Sequence, residues 1–281
     1  MVVSRKVCTV TGDSSSNSIT LSGLSNGKVR IAGNSSTSIN GGSYVDVAAS
    51  AFSIRLNGGD DTLSTPATSK APLKIGSLSV SMSSGLDQIN ANYIQATGAV
   101  SFDMGDDSKS SGYEGAALLS SDIGSFSYRA PRSAGANSLA LEIVTVRGDV
   151  SIEGSSGTNT VNLASLRVTG SISAKLGDEA NGSTAGDRMA LTNVNVAGKV
   201  NINMGSGRAV VTLKQVTADT ITIGCGGGDS DSVVIEQTRA RLVTVDGGGG
   251  KKDKLSGSGN VFARNPTVRN FETNTLSFVT G

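Results

Sequence analysis

Val150-Ser-Ile152-Glu-Gly-Ser-Ser-Gly-Thr-Asn159-Thr-Val161-Asn-Leu163-Ala-Ser-Leu166-Arg-Val168-Thr-Gly170-Ser-Ile172-Ser-Ala174 is the stretch on which the fold turns. It holds three short apolar-x-apolar pairs, Val150/Ile152, Val161/Leu163 and Leu166/Val168, and then starts again at Ile172/Ala174. The same order runs from Val200-Asn-Ile202 through Val211-Thr-Leu213 to Val216, and from Ile221-Thr-Ile223 through Asp231-Ser-Val233-Val-Ile235. Strict alternation is the mark of a strand with one buried face. Each such strand resembles its counterpart one repeat later better than it resembles its neighbours. Pairing in parallel between successive repeats buries all the apolar positions in one continuous core, which hairpins would not do.

Working outward, the residue between the first apolar pair of each repeat runs Ser53, Ser79, Ser101, Ser127, Ser151, Ser173, Asn201, Thr222, Thr244. The steps are 26, 22, 26, 24, 22, 28, 21 and 22 residues. Two positions on, also outward, come Arg55, Ser81, Asp103, Arg129, Glu153, Lys175, Asn203, Gly224 and Asp246, with alternating charge from Asp103 to Lys175. In-register stacking sets these side chains about 4.8 Å apart, where opposite charges help and like charges hurt. A third column sits at a bend: Asp61, Asp87, Glu114, Asn137, Asn159, Asp187, Ala209, Asp231, Asp253. Glycine precedes it by two at Gly59, Gly85, Gly112, Gly135, Gly157 and Gly207. The expectation is a left-handed turn at the glycine, with the carboxylate or amide accepting from backbone N–H groups just past the corner.

These columns predict an all-β chain: a right-handed parallel β-helix of about nine coils with three short strands per coil, over residues 51–262. Residues 1–50 carry β patterns without the full repeat (Val7-Cys-Thr-Val10, Ile19-Thr-Leu21, Val29-Arg-Ile31, Val45-Asp-Val47) and are assigned to an N-terminal cap, because an open solenoid end invites strand addition. Residues 263–281, where the pattern degrades, are assigned to a C-terminal cap. The longest loops, 105–113 and 177–186, fall on one edge of the stack.

Composition narrows the chemistry. With 37 Gly, 4% aromatics and neither Trp nor His, the core must be thin and aliphatic. The missing histidine removes the Ser-His-Asp and Cys-His nucleophile systems and the commonest zinc ligand. A net charge of +1, from 24 basic and 23 acidic residues, gives no footprint for nucleic acid. No apolar run reaches the roughly 20 residues of a membrane span. Cys8 and Cys225 are too far apart along the stack for an intrachain disulfide. The glycine runs at 226–228 and 247–250 lead into no helix, so neither is a phosphate loop. A regular serine and threonine face invites comparison with ice-binding solenoids, but here it runs beside a charged column.

Gly58-Gly59-Asp60-Asp61-Thr62-Leu63 resembles part of the hemolysin-type calcium-binding nonapeptide, and the wider unit of about 22 residues, as in Asn159 to Gly170, resembles the repeats of large secreted bacterial parallel β-helix proteins. The resemblance implies an extracellular or cell-surface setting. Because Met1-Val2-Val3-Ser4-Arg5-Lys6 lacks the apolar stretch of a secretory signal, a leader absent from this chain is expected. Calcium is the cofactor the resemblance implies, with Asp60, Asp61, Asp106, Asp107, Asp229 and Asp231 as candidate ligands. One partial motif per coil departs from the tandem calcium pattern, and the competing reading of the same acids is a hydrogen-bonded corner ladder.

No catalytic residues are assigned. The function expected is a non-catalytic, extracellular or cell-surface structural or adhesive module, making cell-surface or polysaccharide contacts and associating end to end into filaments. The alternative is a polysaccharide-processing lyase or glycoside hydrolase using acids of the long loops, such as Asp106 and Asp107 beside Lys109, or Asp187 beside Arg188. Sugar sites favour aromatic platforms. Phe126 and Tyr128 occupy inward slots, which leaves Tyr113 as the outward candidate.

Overall fold

A computed structural model describes residues 1–4, 6–107, 112–130, 132–133, 135–178 and 186–281. The chain is all-β, a right-handed parallel β-solenoid of about ten turns, with no helix among the described residues. It divides into two compact units, Met1–Thr145 and Val146–Gly281.

In the first unit the strands Val7–Thr11, Ala51–Arg55, Ser77–Ser81, Ala99–Asp103 and Ser125–Arg129 pair in parallel, each with the next. The register places Thr9 on Ser53, Ser53 on Ser79, Ser79 on Ser101 and Ser101 on Ser127. Their inward partners stack as Cys8, Phe52, Leu78, Val100 and Phe126, all at most 2% exposed. Cys8 is therefore the first rung of a core column. In the second unit Ser151, Ser173, Asn201, Thr222 and Thr244 follow the same rule, above a buried column of Val150, Ile172, Val200, Ile221 and Val243. Shifting any strand by one residue would turn its aliphatic set to solvent, and that penalty fixes the register.

Parallel pairing begins inside the segment assigned to the N-terminal cap, at Val7–Thr11 and at Ser18–Gly23, which pairs with Thr62–Thr65. The rest of that segment is antiparallel: Ser18–Gly23 pairs with Val29–Gly33, which pairs with Tyr44–Val47, while Val2–Ser4 runs against Val7–Thr11. Beyond residue 262, Thr267–Arg269 and Thr273–Thr280 still add in parallel to the coil before them.

Two corners of the coil carry left-handed residues. Gly59, Gly85 and Gly207 are left-handed as expected, with φ of 90°, 141° and 108°. At Gly135 the reason for glycine is proximity, because a Cβ would lie 2.2 Å from the Gly112 carbonyl oxygen. A second corner is left-handed without glycine. In the first unit it holds Tyr93, Ser120 and Ile143, and in the second Ser165, Asn193, Gln215 and Gln237, all with φ between 48° and 56°. The backbone of the neighbouring coil holds them there: Tyr93 N–H donates to the Leu119 carbonyl at 3.0 Å, and the Tyr93 carbonyl accepts from Leu73 N–H at 3.0 Å.

Candidate functional site

The bend column is interior. Asp61, Asp87, Glu114, Asn137, Asn159, Asp187, Asp231 and Asp253 are each at most 2% exposed. The aspartate bonds run between coils, not past the local corner as expected from the sequence, whereas Asn159 Oδ1 accepts from Ser155 N–H of its own corner at 3.1 Å. Asn17 N–H donates to Asp61 Oδ1 at 2.7 Å, and Asp61 N–H donates to Asp87 Oδ1 at 2.8 Å. In the second unit Asn159 N–H donates to Asp187 Oδ1 at 2.7 Å, Ala209 N–H to Asp231 Oδ1 at 2.7 Å, and Asp231 N–H to Asp253 Oδ1 at 2.8 Å. Asp253 N–H donates to Glu272 Oε2 at 2.7 Å. Asp61, Asp87, Asp187, Asp231, Asp253 and Glu272 thus each satisfy an amide of the preceding coil that the strand ladder leaves unpaired at the turn. Asn17 and Glu272 were missed as members of this column. The signal for Asn17 was there, since Asn17-Ser-Ile19 repeats the spacing of Asp61-Thr-Leu63.

Asn17 and Asn159 show what the second side-chain atom does. Asn17 Nδ2 donates to the Ser15 carbonyl at 2.5 Å and to Asp61 Oδ1 at 3.3 Å. Asn159 Nδ2 donates to the Gly157 carbonyl at 2.8 Å and to Asp187 Oδ1 at 3.0 Å. In Asp61, Asp231 and Asp253 the corresponding atom is Oδ2, buried without a hydrogen-bond partner. Burial pushes the Asp61 carboxyl up against the opposing pull of the Asn17 donors. Asp231 is pushed up to about 7, chiefly by burial, helped by the charges of Asp253 and Asp229 and opposed by the Ala209 N–H and Arg208.

The calcium candidates divide accordingly. Asp61 and Asp231 are buried, whereas their pair-mates Asp60 and Asp229 are exposed. Asp60 Oδ1 accepts from Leu86 N–H at 2.9 Å. The backbone of Asp106–Asp107 pairs in parallel with Arg132–Ser133, while the side chains of Asp106 and Asp107, and all of Lys109, lie outside the described residues. Arg188 is exposed beside buried Asp187, and Tyr113 is 55% exposed. Among the described residues no three acid, cysteine or histidine side chains gather as a metal cage.

On the outer surface, Ser53, Ser79, Ser101 and Ser127 floor a groove of about 520 Å³ bordered by Arg55, Asp103 and Arg129. A separate cleft of about 440 Å³ is lined by Lys28, Lys70 and Lys74, and one of about 370 Å³ by Tyr93, Gln95, Ser120 and Asp122. Phe126 and Tyr128 are inside, at 2% and 3% exposure. Cys225 is a buried corner residue, its thiol pushed up to about 12 mainly by burial, so it holds little thiolate at neutral pH. No family model matches the chain, and no curated protein or solved structure does either.

Proposed function

We propose that this chain is a non-catalytic structural or adhesive module acting outside the cell or on its surface. The observation that supports this reading is the ladder itself. Coil after coil repeats one backbone register, so outward side chains form long polar columns, as in Ser53, Ser79, Ser101 and Ser127. Such a surface offers many equivalent contacts and a stiff frame. Association through strand edges is the assembly this frame favours, and Thr273–Thr280, with Phe278 36% and Val279 62% exposed, is suited to it.

Negative-stain micrographs across a concentration series test the assembly, with ordered fibres or end-to-end stacks as the expected result. Incubation with a panel of acidic polysaccharides tests the competing enzymatic activity. Turnover that releases reducing or unsaturated sugars would overturn the non-catalytic reading.

A further inference from the structure

Two neighbouring turns of the first unit interrupt the regular coil. The turn Leu24–Lys28 is closed by Leu24 N–H on the Lys28 carbonyl at 2.8 Å and Gly27 N–H on the Leu24 carbonyl at 3.0 Å. The turn Thr68–Ala71 is closed by reciprocal backbone bonds of 3.3 and 3.0 Å. Gly23 packs against Pro72, where a Cβ would stand 3.1 Å from the Pro72 carbonyl oxygen, so the turns lie side by side. The cleft of about 440 Å³ between them sets Lys28, Lys70 and Lys74 around Leu24, Ala71 and Pro72, with no acid in its lining.

All three lysines are exposed, and among the described residues none is in an ion pair. Lys28 attracts Asp46 only at longer range, because Asp46 is already held by Arg30 through bonds of 2.7 and 2.9 Å. In a chain of net charge +1, three ammonium groups outside any ion pair over an apolar floor make a local positive potential that selects an oxyanion. Pro72 also lines the adjoining depression of about 370 Å³. There Tyr93 brings an aromatic ring, while Gln95, Ser120 and Asp122 bring amide, hydroxyl and carboxyl groups. That combination suits a sugar ring, with its apolar face and its fringe of hydroxyls. Backbone bonds on both sides of Tyr93 fix it in place beforehand.

We propose that the two depressions form one binding surface for an acidic oligosaccharide, its sulfate or carboxylate groups held by Lys28, Lys70 and Lys74 and an adjacent sugar packed on Tyr93. This deepens the adhesive reading by naming the ligand class and the face that takes it.

Binding is measured for the whole chain with a labelled sulfated oligosaccharide, a uronate oligosaccharide, a neutral oligosaccharide of equal length, inorganic phosphate and anionic phospholipid vesicles. An acidic oligosaccharide binds and is released as salt rises, while the neutral one does not bind. The combined variant Lys28→Ala, Lys70→Ala, Lys74→Ala loses at least about tenfold in affinity while melting like the parent. Tyr93→Asn, which keeps the left-handed corner, weakens binding about fivefold with the salt dependence unchanged. Undiminished glycan binding by the triple variant overturns this site and leaves the adhesive reading standing. Phosphate or vesicles binding as well as the sugars, with no effect of Tyr93→Asn, overturns the sugar assignment. Failure of every glycan to bind overturns the site outright, and the fibre test then decides the structural reading by itself.

Discussion

The backbone N–H of Asp231 reaches Oδ1 of Asp253, its counterpart one coil later, at 2.8 Å, and both residues are at most 1% exposed. Removing the acceptor strands a buried donor, which costs about 1–3 kcal/mol. Asp253→Ala should therefore lower stability by about that amount, measured as a shift in denaturation midpoint. Asp253→Asn keeps an acceptor at Oδ1 and should cost clearly less. Equal losses for the two variants would mean that the inter-coil bond contributes nothing.

The same column predicts a pH dependence of uncommon sign. The Asp231 carboxyl stands near 7 in the folded chain, against about 3.9 when unfolded. The groups facing it are Asp253, Asp229 and Arg208, with the thiol of Cys225 beside them. Between those values the folded state keeps a proton that the unfolded state has lost, so stability is complete below about pH 4 and declines until pH passes about 7. Asp61, also raised, adds to the decline. In that window Asp231 loses about 1.4 kcal/mol per pH unit. A proton on Oδ2 gives Asp231 the donor that Nδ2 supplies in Asn159. Asp231→Asn should accordingly flatten the melting temperature between about pH 5 and 7, the upper part of this window, and raise it at the alkaline end. A parent whose melting temperature climbs over that range would rule out the protonated column.

Millimolar calcium and a chelator should both leave the melting temperature within error of the buffer value. The paired acids of the calcium-like motif face opposite ways, Asp61 and Asp231 inward and Asp60 and Asp229 outward. Calcium needs about six to eight oxygens converging on one point, whereas Oδ1 of Asp61 and of Asp231 already accepts an amide. A rise of several degrees with calcium, reversed by chelator, would restore the metal reading.

How far the sequence carried these conclusions depended on which residues recur. Ser53 through Ser127, and Ser151 through Thr244, were legible as stacked columns because small polar residues alternate with aliphatics at one fixed place in every coil. The acid column was legible as a column, but the target of its bonds was not. The acceptor serves an amide 19 to 44 residues away, as in Glu272 to Asp253, Asp231 to Ala209 and Asp61 to Asn17, and spacing along the chain does not reveal that partner. The left-handed corner left no trace at all, since Tyr93, Ser120, Ile143, Asn193 and Gln215 share no chemistry. The lysine cleft escaped for a different reason: Lys28 meets Lys70 and Lys74 through an antiparallel excursion that follows no coil repeat.

That corner can be tested at its most strained member. Ile143 has φ of 56° and is 59% exposed, so a β-branched residue occupies a left-handed position with little packing in return. Asn193 fills the matching corner in the second unit at φ 55°. Replacing Ile143 by Asn or Gly should raise stability by roughly 0.5–1 kcal/mol, since the left-handed penalty falls and few contacts are lost. A destabilised Ile143→Gly would mean that the side chain makes a contact worth more than the strain.

Two glycines of neighbouring coils, Gly226 and Gly249, should respond unequally to a single methyl group. Gly226 has φ of 86°, and a Cβ there would stand 1.4 Å from the Gly205 carbonyl oxygen one coil back. Its neighbour in the stack, Gly248, is equally left-handed and would meet the Gly226 carbonyl at 1.7 Å. These corners nest backbone on backbone, so the coil cannot yield at one of them without lifting the next. Gly226→Ala adds a left-handed penalty of about 1 kcal/mol to an overpacking cost of about 1–3 kcal/mol. It should lower stability by roughly 2–4 kcal/mol in total, read from the denaturation midpoint. Gly249 has open space around its α-carbon, and its N–H bond to the Gly226 carbonyl at 2.8 Å survives substitution. Gly249→Ala should stay within about 0.5 kcal/mol of the parent. Equal tolerance at the two sites would show that successive coils are not in backbone contact at this corner, and the close stacking of the second unit would have to be given up.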